Sequence, residues 1–359
     1  MGNSKPQDNP IAVVGATGHT GRFVVAELKR RGQSAILIGR DADKLAHAGE
    51  EFGTQMVRLA RMDDPHSLNS ALLGAAAVIN CAGPFIDTAL PVIDAALRAK
   101  IPYLDVTAEQ PSVRAVLETR HDAACQAGVA LLPAAGFYGG LADLLVMTAT
   151  DGSNQLDEIT VVVALDSWHP TQGTRLTGAR NTAKRLVQRN GRLEPIEEPQ
   201  PHGRWTFPAP FGDQDVVMMS FSETITIANH LSAKTIESWI NLAPLRDIRD
   251  PATPPPQASD DKGRSGQVFA MDVIVRAGDR HRRVTASGHD IYAVTAPIAV
   301  EAIQRLLVGE AAGAVGVRSL GEIFEARAFL ESLGPDTLQV SYKDHAEAML
   351  QREVDDARR

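Results

Sequence analysis

The sequence predicts an α/β protein: a doubly wound parallel sheet with an inserted α+β second domain that carries a mostly antiparallel sheet. Three observations predict it. An apolar run at residues 11–14 leads into glycines at 15, 18 and 21 and then into an amphipathic run from Thr20 to Arg31, the order strand, tight turn, helix. Strand-like and helix-like patterns then alternate through the first 150 residues, as crossover connections between parallel strands require. After Asp151 the alternation stops and β-branched runs take over. The expected units are residues 1–150, residues 151–289, and residues 290–359 returning as helices to the first unit.

Each element has a local reason. Residues 35–38, 55–59, 77–80, 103–105 and 129–132 are short apolar or β-branched runs of strand length. Asp64 is placed to cap a helix with Pro65 at its first position. Residues 88–99, 112–127 and 141–149 carry apolar side chains at helical spacing. In the second unit, residues 158–164 and 215–220 read as strands. Residues 269–276 and 283–286 read as a pair turning at Ala277-Gly278-Asp279. Residues 174–190 read as a helix with a basic face of Arg175, Arg180, Lys184 and Arg185. The Pro-, Ser-, Asp- and Gly-rich stretch 251–267 reads as a mobile surface loop. Residues 296–308 and 324–333 read as helices, and 347–359 as a charged helix that frays.

The chain has 359 residues, enough for two domains with a substantial core. A net charge of −8 argues against nucleic acid or an anionic membrane as a partner. Two cysteines, Cys81 and Cys125, make neither a disulfide framework nor a zinc site, and a reducing, cytoplasmic setting follows. Residues 1–10 are polar and lack an apolar signal core, and no run approaches the ~18–20 apolar residues that span a bilayer. The ten histidines show no HxxxH or HExxH spacing, so no metal is expected.

Function is read from the ends of the predicted parallel strands, where ligands of such sheets bind. Gly15, Thr17, Gly18, His19, Thr20 and Gly21 form a candidate pyrophosphate cradle. The glycines give the turn, the close backbone approach and the tight helix packing, and the helix N-terminus offers free N–H groups. The second strand ends at Gly39-Arg40, where a ribose-binding carboxylate would mark NAD; Arg40, with Lys44 one turn on, suits a 2′-phosphate instead. Asp63 is a candidate partner for the adenine amino group, or simply the start of a helix. Cys81, Ala82, Gly83, Pro84 and Phe85 are small or turn-forming and can border a nicotinamide; Cys81 has no basic neighbour in sequence and reads as inert. Glu109, at the end of 105–109, and Tyr138, in 133–140, are candidate proton donors, or, for Tyr138, simply a packed aromatic with its hydroxyl on solvent. Arg175 and Lys184 are candidate anchors for an acidic substrate, or a solvated basic face, and His169 beside Pro170 is an acid–base candidate or a structural loop histidine.

Gly15-Ala-Thr-Gly-His-Thr-Gly-Arg22, Gly39-Arg40 with Lys44-Leu45, Asn80-Cys-Ala-Gly-Pro-Phe85, residues 103–109 and Leu132-Pro-Ala-Ala-Gly-Phe137 occur in that order. Together with Gly173-Thr174 and Thr295-Ala-Pro297 they resemble the saccharopine dehydrogenase-like oxidoreductases, including the trans-acting enoyl reductase branch. Ala108 stands where glycine is common in that group. The resemblance implies a Rossmann domain completed by the C-terminal segment, a second domain closing over the nicotinamide, and pairing into a homodimer. The expected activity is NADPH-dependent hydride transfer to the C=N bond of an imine, with Tyr138, Glu109 and Lys184 as catalytic candidates. The alternatives are enoyl reduction on a chain borne by a carrier protein docked at the basic run 175–192, and a non-catalytic NADP-binding protein.

Overall fold

A computed structural model describes residues 9–153 and 155–345. The first half alternates strictly. In chain order it runs β1 (Ile11–Val14), α1 (His19–Arg30), β2 (Ala35–Gly39), α2 (Ala42–Phe52), β3 (Val57–Leu59), α3 (Pro65–Ala71), β4 (Ala77–Asn80), α4 (Phe85–Ala99), β5 (Tyr103–Asp105), α5 (Gln110–Ala127) and β6 (Ala130–Leu132). A single π turn over Phe137–Leu141 leads directly into α6 (Ala142–Thr150). Side chains on β1 and β4 are buried on both faces, which is why these strands are continuous apolar runs. Asp41 caps α2 by accepting from Lys44 N, and Asp64 caps α3 by accepting from His66 N and Ser67 N, with Pro65 at the first position as expected.

The second half contains β7 (Leu156–Leu165), α7 (Gln172–Arg180), β8 (Leu186–Arg189), β9 (Arg192–Pro195), β10 (His202–Thr206), β11 (Asp213–Met218), α8 (Ser222–His230), β12 (Ala233–Asn241), α9 (Ala243–Arg249), β13 (Val268–Ala277) and β14 (Arg280–His289). It is followed by α10 (Ile291–Leu307), β15 (Gly316–Val317), α11 (Leu320–Ile323), α12 (Ala326–Ser332) and β16 (Gln339–His345). The first sheet is seven-stranded, in the order β15-β6-β5-β4-β1-β2-β3, and each pairing is parallel. The second runs β10-β11-β12-β7-β13-β14-β16, with the β8–β9 hairpin joined to β12. Within it β7 and β12 are parallel and the remaining pairs antiparallel. The α/β architecture with a second, mostly antiparallel sheet is the expected one. After α10 the chain contributes β15 to the first sheet and then β16 to the second, so the C-terminal segment serves both.

Three expectations need correction. The helix expected over 174–190 stops at Arg180, and 186–195 form a hairpin instead. Its turn is Asn190-Gly191, both left-handed at φ 49° and 73°, a dipeptide that favours a two-residue hairpin turn. The hairpin wins because Val187 and Gln188 are buried against β12. The stretch 221–249, left without elements above, holds α8, a central strand β12 and α9. β16 also went unread, and the charged helix expected at 347–359 lies outside the described residues.

One apolar core runs between the sheets. It joins Val13, Ile79 and Leu132 of the first sheet, Leu144 and Leu145 of α6, and Phe269, Met271 and Val273 of β13. The far face of the second sheet has its own core, including Trp205, Phe207 and Trp239. There Asp272, fully buried, accepts from Trp205 Nε1 (2.9 Å), from Arg283 Nε (3.0 Å) and from Thr285 Oγ1 (2.7 Å). The sheets are also tied by a polar contact. Asp143 of α6 is fully buried, pairs with His230 Nε2 of α8 at 2.7 Å and accepts from Gly321 N at 2.7 Å. Burial pulls the His230 imidazole down, but the Asp143 carboxylate outweighs it and the net shift is upward. The stabilisation is therefore complete below the ordinary histidine value and fades as pH rises through the raised folded one. His230→Gln is expected to cost roughly 1.5–3 kcal/mol in acid and less at alkaline pH. Thermal melts across that range check this; an equal loss at every pH would refute it.

Candidate active site

The strand order reverses between β1 and β4, and the crevice beyond their carboxyl ends is where such sheets bind ligands. Backbone contact sets its floor. Gly15 adopts φ +78°, and a Cβ there would lie 2.9 Å from Ala82 N. A Cβ on Gly21 would lie 2.1 Å from the Gly15 carbonyl oxygen, so α1 can approach β1 this closely only with glycine. α1 starts after Gly18 with no side-chain cap and no acidic residue in its first turn, leaving its N–H groups for a ligand. Thr17 and Thr20 are half-buried beside it. The His19 ring lies edge-on to Phe23 (5.2 Å) and Tyr292 (5.3 Å). Its Nε2 is buried without a partner, and burial holds the imidazole below its ordinary value. Open N–H groups, a glycine floor and an orphaned donor or acceptor fit a dinucleotide pyrophosphate.

At the end of β2, Arg40 is exposed and makes no hydrogen bond or ion pair among the described residues. Lys44 is exposed, 3.7 Å from Asp41. Asp41 itself is occupied as the α2 cap, so the carboxylate next to Arg40 is turned to the helix. Asp63 is exposed and gripped by Arg61 through two bonds of 3.1 and 2.9 Å, which lowers its carboxyl value.

The ends of β4, β5 and β6 form one hydrogen-bonded network. Asn80 Oδ1 accepts from Ala82 N, and its Nδ2 donates to Thr88 Oγ1 and Tyr103 Oη. Tyr103 donates to the buried Asp105, which also accepts from Thr107 N and Ala134 N. Ala134 is thereby held at φ +58°, a strained value for alanine. Burial raises the Cys81 thiol far above its usual range, in keeping with an inert residue. Gly83, Pro84 and Phe85 are half-buried, and a Cβ on Gly83 would sit 3.3 Å from Thr177 Oγ1 of α7. Glu109 is buried, and its carboxylate accepts from Phe85 N (2.7 Å) and Ile86 N (3.2 Å), the open N-terminus of α4. Burial raises its carboxyl value against those N–H donors.

Tyr138, on the π turn, is buried with its hydroxyl unpartnered and its ring stacked on Phe221 at 4.0 Å. Here the second half of the chain enters. Trp168 Nε1 donates to Tyr292 Oη (3.0 Å), which also meets Thr174 Oγ1 at 2.9 Å. A cavity of about 280 Å³ opens beside Tyr292, lined by Ser167, His169, Pro254, Gln257 and Gln267 among others, with no Asp, Glu, Lys or Arg in its wall. His169 is thus at the cavity.

The basic residues do not form one face. Arg175 donates to the carbonyls of Asp250 (3.3 Å) and Thr253 (2.7 Å), and Arg180 pairs with Asp87 of α4. Arg185 is largely buried and donates to Ser220 O (2.7 Å), Arg189 pairs with Glu237, and Lys184 is exposed on the loop before β8. Arg185, Glu223, Phe221, Trp168, Thr177 and Tyr292 were not singled out as site residues. The Arg–Leu–Val–Gln run at 185–188, followed by Asn190-Gly191, was the one available signal, and it marks a hairpin rather than a site. Among the described residues no group of three or more His, Cys, Asp or Glu can hold a metal ion, and no helix is long and apolar enough to cross a membrane.

Gly21→Ala must push α1 off β1. It is expected to weaken dinucleotide binding by at least about tenfold, a loss of ~1.4 kcal/mol, and to lower the melting temperature. A fluorescence titration checks it, and unchanged affinity would contradict the close-contact account.

Residues 11–132 match the family of saccharopine dehydrogenase NADP-binding domains. A trans-acting enoyl reductase of Mycobacterium tuberculosis is 27% identical over 164 residues, 43% of this chain and 39% of that protein. A saccharopine dehydrogenase-like oxidoreductase of Bos taurus is 26% identical over 162 residues, 40% of this chain and 38% of that protein. The chain thus spans about two-fifths of the length of these relatives. Saccharopine dehydrogenase (L-Glu forming) of Saccharomyces cerevisiae has the same fold, with a TM-score of 0.64 over 94% of this chain and 100% of that one at 13% identity. Residues 11–132 thus carry a saccharopine dehydrogenase NADP-binding domain, and the chain as a whole shares the two-sheet fold of saccharopine dehydrogenase.

Proposed function

We propose that the protein is an NADPH-dependent reductase acting on the C=N bond of a small-molecule imine. The observation that carries this reading is the crevice itself: an uncapped α1 N-terminus over a glycine floor, continuous with the turn Gly83–Phe85 and roofed by α7. The N–H groups of α1 would hold the pyrophosphate and Arg40 the 2′-phosphate, with Lys44 adding charge. Bound there, the cofactor supplies hydride; the protein orients both partners and excludes water.

The remaining residues divide by what already occupies them. Glu109 is committed to the N–H groups of Phe85 and Ile86, so it positions the nicotinamide-side turn rather than donating a proton. Tyr138, buried beside the crevice with a free hydroxyl, is the proton donor. Lys184 is exposed and takes no part. Arg175 anchors the start of the 251–267 loop and is not available for a substrate carboxylate.

A second reading, enoyl reduction of a carrier-bound chain, is favoured by the uncharged wall of the cavity beside Tyr292. It also agrees with what the mycobacterial relatives are named for. Consumption of NADPH with a cyclic imine and with an enoyl thioester separates the two.

Arg40→Asp places a carboxylate where a 2′-phosphate would sit. It is expected to weaken NADPH binding roughly 10- to 100-fold, ~1.4–2.8 kcal/mol, while NADH binding holds or improves. Parallel fluorescence titrations test this, and unaltered NADPH affinity would show that Arg40 does not touch the cofactor.

A further inference from the structure

The cavity beside Tyr292 adjoins the crevice at the ends of the parallel strands. Tyr292 lines it, and its ring lies edge-on to His19, the first residue of α1, at 5.3 Å. The Tyr292 hydroxyl meets Thr174 Oγ1 of α7 at 2.9 Å. One turn further along α7, Thr177 Oγ1 lies 3.5 Å from Glu109 Oε1 and faces the backbone at Gly83. Residues three apart share a helix face, so a single face of α7 spans the cavity and the turn Gly83–Phe85. At about 280 Å³ the cavity has room for a small ring compound; about 150 Å³ suffices for benzene.

The charge around it has one sign. Asp290, fully buried, accepts from the N–H groups of two wall residues, Ser265 (2.8 Å) and Tyr292 (2.9 Å). Asp166 accepts from Ser167 Oγ of the wall (3.1 Å) and from Val268 N (3.0 Å). Asp247 accepts from Trp168 N (2.8 Å), between the wall residues Ser167 and His169. None of the three forms an ion pair among the described residues, so their charge is not cancelled by a neighbouring cation. The field of Asp290 reaches the cavity: burial raises the Tyr292 hydroxyl, and Asp290 raises it further against the bonds from Thr174 and Trp168. The nearby guanidiniums are occupied. Arg175 is held by the carbonyls of Asp250 and Thr253, and Arg264 by Asp260 and the carbonyl of Asp336. A carboxylate entering the cavity meets three like charges and no cation, and an unpaired charge out of water weakens binding by orders of magnitude.

We propose, given the reductase reading above on which this rests, that the imine reduced by this protein carries no carboxylate: it is a small, amine-derived ring whose one ionisable centre is the C=N nitrogen, bound in the cavity beside Tyr292. Hydride from NADPH adds to the imine carbon, the π pair passes to nitrogen, and nitrogen gains one proton, so the product is the cyclic amine and the cofactor leaves as NADP. Positive charge on that nitrogen is favoured by Asp166, Asp247 and Asp290. His169 and Gln257, which make no hydrogen bond among the described residues, offer the ring neutral donors and acceptors.

Charge and chemistry are tested apart. The NADP-saturated protein is titrated calorimetrically with pyrrolidine, a cation at neutral pH, and with cyclopentanecarboxylate, an anion of similar size. Pyrrolidine is expected to bind at least about tenfold more tightly. Equal binding, tighter binding of the carboxylate, or binding of neither overturns the proposal. Gln257→Arg puts a guanidinium into the wall and is expected to tighten binding of cyclopentanecarboxylate at least about tenfold; Gln257→Lys repeats the test should the first variant fold poorly. No gain in a folded variant places the ligand elsewhere and also overturns it. With NADPH present, 1-pyrroline should be reduced with a kcat/KM at least about 100-fold above that of 1-pyrroline-2-carboxylate. Preference for the carboxylated imine overturns the proposal and leaves the reductase reading intact. Turnover of neither imine, beside selective binding of pyrrolidine, overturns the reductase reading and the substrate with it, while the charge preference of the cavity stands.

Discussion

The placement of helix α6 between the two sheets governs the rest of the structure. Leu144, Leu145 and Val146 are fully buried in the core that joins β1 and β4 to β13. Each contributes about 1.5–3 kcal/mol by leaving water, and together they fix the spacing of the sheets. Asp143 adds direction, because its two hydrogen bonds engage α8 on one side and the first turn of α11 on the other. The π turn that precedes α6 then has one place to go. It delivers Phe137 and Tyr138 into the seam, where Phe137 meets Phe269 at 4.9 Å and Tyr138 meets Phe221.

Carboxylates at the strand ends largely serve the scaffold. Asp41 and Asp64 cap helices, Asp105 holds the loop after β6, and Glu109 caps α4. Each satisfies backbone N–H groups that would otherwise be left open at a helix or turn. This leaves the N-terminus of α1 as the uncapped one beside the glycine floor. A chain with net charge −8 thus keeps open N–H groups over the glycine floor, while Arg40 stands exposed at the end of β2. An acid with an unsatisfied oxygen among the described residues, Glu223, comes from α8, ahead of β12 in the second sheet.

The nucleotide-binding half was legible because its signals are contiguous. Glycines at 15, 18 and 21 act through local backbone contacts, and Asp64-Pro65 caps its own helix. The second half was not. Arg175, Arg180 and Lys184 fall near helical spacing, yet each follows a separate tertiary partner or faces solvent, and Asn190-Gly191 turns the chain into a hairpin. β12 was hidden because Glu237 and Ser238 are polar and buried, which breaks the alternation that marks a half-exposed strand.

The sequence by itself determined the parallel sheet, its order of strand and helix, and the cradle for a phosphorylated dinucleotide. These depend on periodicity and on glycine and capping residues acting within a few positions of one another. Tertiary structure decided which polar groups remain free. Tyr138, Arg185, Phe221 and Glu223 lie far apart in the chain and meet because α6 joins the sheets and α8 leads into β12 beside β7. Whether a carboxylate caps a helix with both oxygens, as Glu109 does, or leaves one oxygen without a partner among the described residues, as Glu223 does, depends on which N–H groups the fold brings to it. No local pattern carries that information.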